Sequence, residues 1–107
     1  MGDYEVFFSR FAYEDLEEIY KYTKEKTCDV KKANQLYERI ISESSKLGYF
    51  PKKHPIVQLK NMRNSNIRMF IIENYMLFYT INEEDKKVRI DKIFHSGIDW
   101  MSKFWFF

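Results

Sequence analysis

One arginine and one histidine in the second half of the sequence are the side chains best suited to catalysis. His95 stands at the end of a predicted strand, where an imidazole that titrates near neutral pH is suited to general acid or base work. Arg68 is the only charged residue among residues 67–72, which predicts a half-buried and paired guanidinium. Both residues also have a structural interpretation. Arg68 would then pair with Asp91 or Glu73, and His95 would hydrogen-bond to the backbone.

A basic stretch precedes the predicted strands. Residues 49–72 carry five cations and no acid, namely Lys52, Lys53, Lys60, Arg63 and Arg68. Such a cluster fits contact with nucleic acid or with an acidic protein segment, and the alternative is a solvated basic loop. Within this stretch His54 is predicted to be exposed. Trp100, which follows Asp99, is suited either to stacking on a base or to anchoring a core or an interface. The candidate target contacts are Lys52, Lys53, His54, Lys60, Arg63, Asp99 and Trp100.

Composition argues against several other kinds of site. A phosphate-binding loop needs closely spaced glycines, and the three present are Gly2, Gly48 and Gly97. One cysteine and two distant histidines do not make a structural zinc site. The Gly-x-Ser-x-Gly elbow of hydrolases does not occur. The sequence therefore predicts no metal and no cofactor.

Cysteine usage and hydropathy predict a cytoplasmic protein. Cys28 is the single cysteine, which suits a reducing compartment, and it is predicted to be a partly buried side chain between helices. No run reaches the ~18 apolar residues that a membrane span needs. The first residues lack the basic flank and apolar segment of a signal peptide.

Hydrophobic periodicity predicts one α+β domain over residues 1–107. The predicted elements are a strand at residues 4–8, helices at 11–26 and 30–47, and strands at 67–72, 75–81 and 88–94. Ser9 and Asp29 are placed as N-caps, and Gly48 as the left-handed residue that ends the second helix. We expect an antiparallel helix hairpin that packs on a mostly antiparallel sheet, which a C-terminal three-strand meander completes.

Apolar patterning also predicts which residues are buried. The middle strand of the meander is apolar on both faces and is expected inside the sheet. Phe50 is expected beneath the helix hairpin, and Asp15 belongs to an acidic run that is expected to be solvated. Residues 100–107 hold five aromatics. They are expected to fold back on the open sheet face or to be buried by a partner chain.

In order and in local pattern, these elements resemble the RelE/ParE superfamily, the toxins of bacterial type II toxin–antitoxin systems. The resemblance is carried by DLEEIYKY (residues 15–22), by residues 33–47 of the second helix and by FPKKHP (residues 50–55). Its most specific part is IRMFIIENYMLFYTINEEDKKVRIDKIFH (residues 67–95). There an arginine and an apolar strand precede Glu-Asn-Tyr, a second apolar strand, an acidic turn and a third strand.

The resemblance implies a cognate antitoxin, acidic and partly disordered, whose helix lies on the sheet or on the helix hairpin. It also implies growth inhibition, a role in plasmid stabilisation and a hetero-oligomeric toxin–antitoxin complex. The candidate antitoxin contacts are apolar or aromatic, namely Leu16, Tyr20, Tyr37, Phe104 and Trp105.

Two mechanisms are open within the superfamily. RelE-like members cleave mRNA on the ribosome with basic residues on the sheet, but those positions fall here on Ile67, Met69, Met76 and Ile98. The aromatic near their C-terminus falls near Phe104, which lacks a hydroxyl. ParE-like members instead poison DNA gyrase by protein contact and need no catalytic set. Their paired arginines are replaced here by Gly97 and Ile98. The sequence favours the binding toxin. The alternatives are a ribosome-dependent endoribonuclease that uses Arg68 and His95, or a degenerate relative that only binds an antitoxin.

Overall fold

One strand, two helices and three further strands make up residues 2–57 and 66–97, the part of the protein that its computed structural model describes. In chain order they are β1 (Glu5–Phe8), α1 (Arg10–Thr27), α2 (Val30–Ser45), a 3-10 turn (Lys46–Gly48), β2 (Arg68–Ile72), β3 (Tyr75–Asn82) and β4 (Lys87–His95). The strand order is β1-β4-β3-β2, with β1 parallel to β4 and the other neighbours antiparallel. The predicted fold class, helix hairpin and meander are confirmed.

Both helices begin at the predicted caps. The Ser9 hydroxyl accepts from the Ala12 N–H at 3.1 Å, and the Asp29 carboxylate accepts from the Lys31 N–H at 2.9 Å. Between the helices Cys28 adopts a left-handed conformation with φ 53°, and its side chain is exposed. The prediction of a partly buried thiol is therefore wrong, because the two-residue connection places Cys28 at the tip of the hairpin.

The end of α2 differs from the prediction. The helix passes directly into the 3-10 turn, and Gly48 does not adopt a left-handed conformation. Gly48 lies against the chain that enters β1: the Tyr4 N–H donates to its carbonyl at 3.1 Å, and a Cβ added to Gly48 would stand 2.7 Å from the Tyr4 carbonyl oxygen. Glycine is thus needed here for close backbone approach, not for a left-handed cap.

The helix hairpin covers one face of the sheet. Leu16 of α1 and Ile40 of α2 join Leu77, Tyr79 and Ile90 of the sheet in one buried cluster. Burial of this apolar surface is the main source of stability for such a layer. Neither helix is apolar enough along its length to cross a bilayer.

The opposite face of the sheet carries a second apolar cluster. Ile67, Met76, Phe78 and Phe94 are buried there, and Met69 packs against them. Because β3 lies between β2 and β4 and contributes to both clusters, its predicted interior position is confirmed. The aromatic segment expected to cover an open sheet face, residues 100–107, lies outside the described residues.

Candidate functional site

Arg68, at the start of β2, is bound by backbone carbonyls. Its Nη1 donates to the His54 carbonyl at 2.6 Å and to the Lys52 carbonyl at 3.4 Å. The predicted partners are engaged elsewhere, since Asp91 pairs with Arg89, and Glu73 pairs with Arg39. The predicted ion pair of Arg68 is therefore wrong. Its guanidinium holds a loop against the edge of the sheet.

That loop, residues 49–57, is fixed to the sheet at several points, and we call it the anchored loop. The buried Tyr79 hydroxyl donates to the Pro51 carbonyl at 2.7 Å. The His54 ring stacks on Phe70 with centroids 4.9 Å apart, and the Met69 N–H donates to the Pro55 carbonyl at 3.3 Å. The sequence did not predict this role for Tyr79, because a tyrosine in an apolar strand is expected to pack in the core.

His54 is half-buried in the anchored loop, contrary to the predicted exposed position. Burial, together with the nearby Lys53 ammonium, lowers the pKa of His54 below its ordinary value. The imidazole is therefore neutral at pH 7 and serves as a flat ring packed on Phe70.

The charged side chains of the anchored loop lie on its outer side. Lys52 and Lys53 are exposed, and the Lys52 ammonium lies 3.5 Å from a carboxylate oxygen of Glu83. An exposed pair of this kind contributes little to stability. Lys60 and Arg63, the other two cations of the predicted basic cluster, lie outside the described residues.

His95 lies at the opposite end of β3 from the anchored loop. Its Nδ1 accepts from the Gly97 N–H at 3.2 Å, which confirms the structural interpretation of a backbone hydrogen bond, and its ring meets Tyr75 edge-on with centroids 5.5 Å apart. A cleft of about 500 Å³ adjoins it, lined by Asp15, Glu18, Ile19, Tyr22, Tyr75, Ile93 and His95. The described lining contains two acids and no lysine or arginine. The ammonium groups beside it are already bound, that of Lys92 to Asp15 and that of Lys26 to the Tyr22 hydroxyl.

Arg68 and His95 do not share a site. Arg68 pairs with Tyr79 across β2 and β3, whereas His95 pairs with Tyr75 across β3 and β4. Four residues along a strand and two strand spacings across the sheet separate their Cα atoms by roughly 16 Å. Each is also bound locally, Arg68 by carbonyls of the anchored loop and His95 by the Gly97 N–H, so the described structure does not bring the two groups together.

Asp15 is a polar residue whose importance the sequence did not reveal. Its carboxylate accepts from the Lys92 ammonium at 2.7 Å and from the Ile93 N–H at 3.0 Å. The edge of β4 extends beyond the end of β1 and has no neighbouring strand there among the described residues. The Asp15 carboxylate supplies the acceptor that this backbone N–H would otherwise lack. Burial raises the pKa of Asp15 despite these bonds. The expected solvated face is therefore wrong at this residue, although Asp15 does open the first segment of the family resemblance.

Asp91 forms an irregularity in β4 at the same edge. The pairing of β3 with β4 passes from Lys92 directly to Ile90, so Asp91 is an extra residue, and its carbonyl accepts from the Ser9 hydroxyl at 2.8 Å. The side chain is buried and pairs with Arg89. Burial raises the pKa of Asp91, and Arg89 offsets part of that rise.

Comparison with known proteins decides the family. Residues 6–100 match the family model described as "ParE toxin of type II toxin-antitoxin system, parDE". The chain belongs to the ParE toxin family. A comparison with curated protein sequences gave no match.

Solved structures place the ParE-family chain in the fold of both superfamily branches. A chain of the chromosomal ParDE toxin–antitoxin system from P. aeruginosa is similar with a TM-score of 0.68 and 16% identity, over 87% of this chain and 96% of that one. A RelBE toxin–antitoxin complex from Mycobacterium tuberculosis gives 0.65 and 18%, over 89% and 93%. An archaeal RelE–RelB complex from Pyrococcus horikoshii gives 0.60 and 19%, over 89% and 97%. At these identities the similarity shows the fold alone.

The residues predicted to contact an antitoxin lie in different environments of this ParE-family fold. Leu16 is only 1% exposed, so its side chain packs in the core and offers no surface to a partner. Tyr20 and Tyr37 are half-buried on the helix hairpin and meet edge-on with centroids 5.9 Å apart. Phe104 and Trp105 lie outside the described residues, as do the predicted target contacts Asp99 and Trp100.

The positions that correspond to the sheet cations of RelE-like ribonucleases are apolar and mostly buried. Ile67 and Met76 are core residues of the second cluster, and Met69 packs against it. Ile98, the fourth position, is not described. At the three described positions where the resemblance to RelE-like ribonucleases would imply cations, the side chains are therefore apolar.

Proposed function

We propose that this ParE-family protein is the toxin of a type II toxin–antitoxin pair, and that it inhibits growth in the cytoplasm by binding a protein target such as DNA gyrase. In this proposal the toxin cleaves no RNA, and a cognate antitoxin neutralises it. The observation that supports it most is the apolar character of Ile67, Met69 and Met76. Catalysis of phosphoryl transfer depends on cations that are held in place around the transition state, and these side chains supply none.

The geometry of the two catalytic candidates supports the same proposal. The Arg68 guanidinium is bound by two backbone carbonyls. The Cα atom of His95, beside the cleft, lies roughly 16 Å from the Cα atom of Arg68. A guanidinium already bound to the protein's own backbone is poorly placed to stabilise a developing phosphate charge.

The family and the pair of tyrosines on the helix hairpin support a proposal for the antitoxin. We propose that the antitoxin lays an amphipathic helix against the surface around Tyr20 and Tyr37, where its apolar side chains would pack against the two rings and its charges would set the orientation. The names of the similar solved structures describe complexes of toxin with antitoxin, which fits a partner of this kind.

Two assays on the same induced protein test the mechanism. Purified gyrase in a supercoiling assay should give trapped cleavage complexes, and primer extension on mRNA from the induced host should give no codon-phased cuts. His95→Ala should stay fully toxic. The His95 side chain is exposed, so this variant should fold normally, and Glu84→Ala serves as its control on another exposed side chain.

Codon-phased cleavage that His95→Ala abolishes would overturn the proposal in favour of a ribosome-dependent endoribonuclease. The His95 cleft, with two carboxylates beside an imidazole, is the feature that keeps this alternative worth testing. A third outcome is that neither gyrase nor mRNA is affected, while a small acidic protein encoded by an adjacent gene still binds tightly. The chain is then a degenerate relative that only binds its antitoxin.

A further inference from the structure

The anchored loop presents two large aromatic side chains to solvent side by side. Phe50 is 71% exposed and Tyr49 is 55% exposed. The sequence had placed Phe50 in the core, but Pro51 takes the buried position and turns the preceding ring outward. Adjacent exposed aromatics are uncommon on a protein that has no use for them, and they mark interaction surfaces.

The surface around Phe50 has two cavities into which a partner side chain would fit. A cavity of about 220 Å³ lies on one side, lined by Glu43, Lys46, Leu47, Tyr49, Phe50, Lys53 and His54. A broader one of about 530 Å³ lies on the other side, lined by Tyr4, Tyr49, Phe50, Pro51, Lys52 and Lys53. Tyr49, Phe50 and Lys53 line both cavities, so the Phe50 ring forms a ridge between two grooves.

The ridge is held rigidly before any partner arrives. The backbone on its C-terminal side is fixed by Tyr79 and Arg68, and the backbone on its N-terminal side by the bond from the Tyr49 N–H to the Lys46 carbonyl at 3.1 Å. The Lys53 N–H closes the turn on the Phe50 carbonyl at 3.1 Å. A surface fixed in this way loses little conformational entropy on binding, which is the physical advantage of preorganisation.

The charges beside the ridge favour an acidic partner that is a protein. Three lysines border the grooves, but Lys46 is paired with Glu43 at 3.0 Å and Lys52 with Glu83 at 3.5 Å. Among the described residues Lys53 makes no ion pair. A polyphosphate chain would meet these two glutamates as well as the lysines, and nucleic-acid binding relies on many unopposed cations. Carboxylates of a protein partner could instead take the place of Glu43 and Glu83, because the exposed ion pairs that would be exchanged contribute little to stability.

We propose that the anchored loop is a docking surface for an acidic protein segment that carries a large apolar side chain. That side chain packs against the ridge of Tyr49 and Phe50, and its neighbouring carboxylates bind Lys52 and Lys53. The arrangement is that of an interface hot spot: an aromatic anchor with a polar rim. The inference goes beyond the proposed toxin function, because it assigns a surface and a partner chemistry without using toxicity.

The test uses the full-length protein and three probes: a random copolymer of glutamate and tyrosine, polyglutamate, and oligothymidine. Amide chemical shifts of Tyr49, Phe50 and Lys53 are followed by NMR, and affinity by titration. The copolymer should bind tightest and shift these amides. Phe50→Ala should weaken it at least about 10-fold, as truncation of a hot-spot aromatic does. Phe11→Ala is the matched control, because that ring is 57% exposed on α1, away from the loop.

Thermal unfolding should be unchanged in both phenylalanine variants, since both rings are exposed, and Lys53→Glu provides a second variant that weakens the copolymer by charge reversal. Preferential binding of oligothymidine at the loop would overturn the inference in favour of a nucleic-acid surface. Equal copolymer affinity in Phe50→Ala and Phe11→Ala would also overturn it. Neither outcome affects the gyrase and mRNA assays, so the two proposals fail independently.

Discussion

Replacing Tyr79 by phenylalanine tests whether the anchored loop depends on a single buried hydroxyl. The change keeps the ring in the core cluster and removes the hydroxyl, which lies 2.7 Å from the Pro51 carbonyl and also meets the His54 backbone. Tyr79 is fully buried and Pro51 is buried, so water does not readily replace the lost donor. A buried acceptor left without a partner costs about 1–3 kcal/mol. For a domain of this size that corresponds to a fall in Tm of about 4–12 °C.

Tyr4→Phe is the matched control, because it deletes the same hydroxyl from an exposed hydrogen bond to Glu83. Its effect on Tm should be small, since an exposed bond is readily replaced by water. Thermal unfolding by circular dichroism measures both variants. Limited trypsin digestion should in addition show faster cleavage after Lys52 and Lys53 in Tyr79→Phe alone. Equal Tm values and equal digestion rates in the two variants would refute the view that this hydroxyl holds the loop.

Three further predictions concern the other polar contacts and the helix connection. Asp15→Ala should lower the free energy of unfolding by about 1–3 kcal/mol in urea titrations, because it removes the carboxylate that accepts from the Lys92 ammonium and from the Ile93 N–H. Glu14→Ala, which breaks an exposed pair, should cost far less. Burial raises the pKa of Asp91, so its stabilising contribution is complete below the unfolded pKa and is lost as pH rises through the folded pKa. Urea titrations at a series of pH values should therefore show that Asp91→Asn gains stability relative to the wild type as the pH rises above the ordinary pKa of aspartate, and parallel curves would contradict this. Cys28→Gly should raise stability by about 1 kcal/mol by relieving the left-handed strain, and Cys28→Ala, which keeps a Cβ there, should not.

The sequence predicted those features that depend on local pattern. Ser9 and Asp29 were found as caps because a small polar side chain before an apolar helical stripe acts within three residues of itself. The interior position of β3 was found because its residues are apolar on both faces, which only a central strand tolerates.

The features that sequence reasoning missed depend on contacts between distant segments. The neighbours of Asp15 in the chain are other acids on the surface of α1, and nothing local reveals that the backbone of Ile93 needs its carboxylate. The same holds for Arg68, whose partners are carbonyls and leave no mark on the sequence. Phe50 was misplaced for a related reason: an aromatic beside a proline is apolar by type, but which of the two faces inward is set by the donor on Tyr79.

Three of the four cations in the strands, Arg68, Arg89 and Lys92, share one property that bears on mechanism. Arg68 binds the carbonyls of the anchored loop, Lys92 binds Asp15, and Arg89 binds Asp91. Each contact joins the sheet to another segment or neutralises a buried carboxylate, so redirecting any of these cations to a phosphate would break a contact that stabilises the fold. A ribonuclease needs its cations held in place but available for the transition state. A toxin that acts by binding does not need cations that are available to a transition state, so these side chains can serve to stabilise the fold. Under the proposed binding function, the apolar side chains of Ile67, Met69 and Met76 are compatible with activity, and the two proposed recognition surfaces lie outside the sheet, on the anchored loop and the helix hairpin.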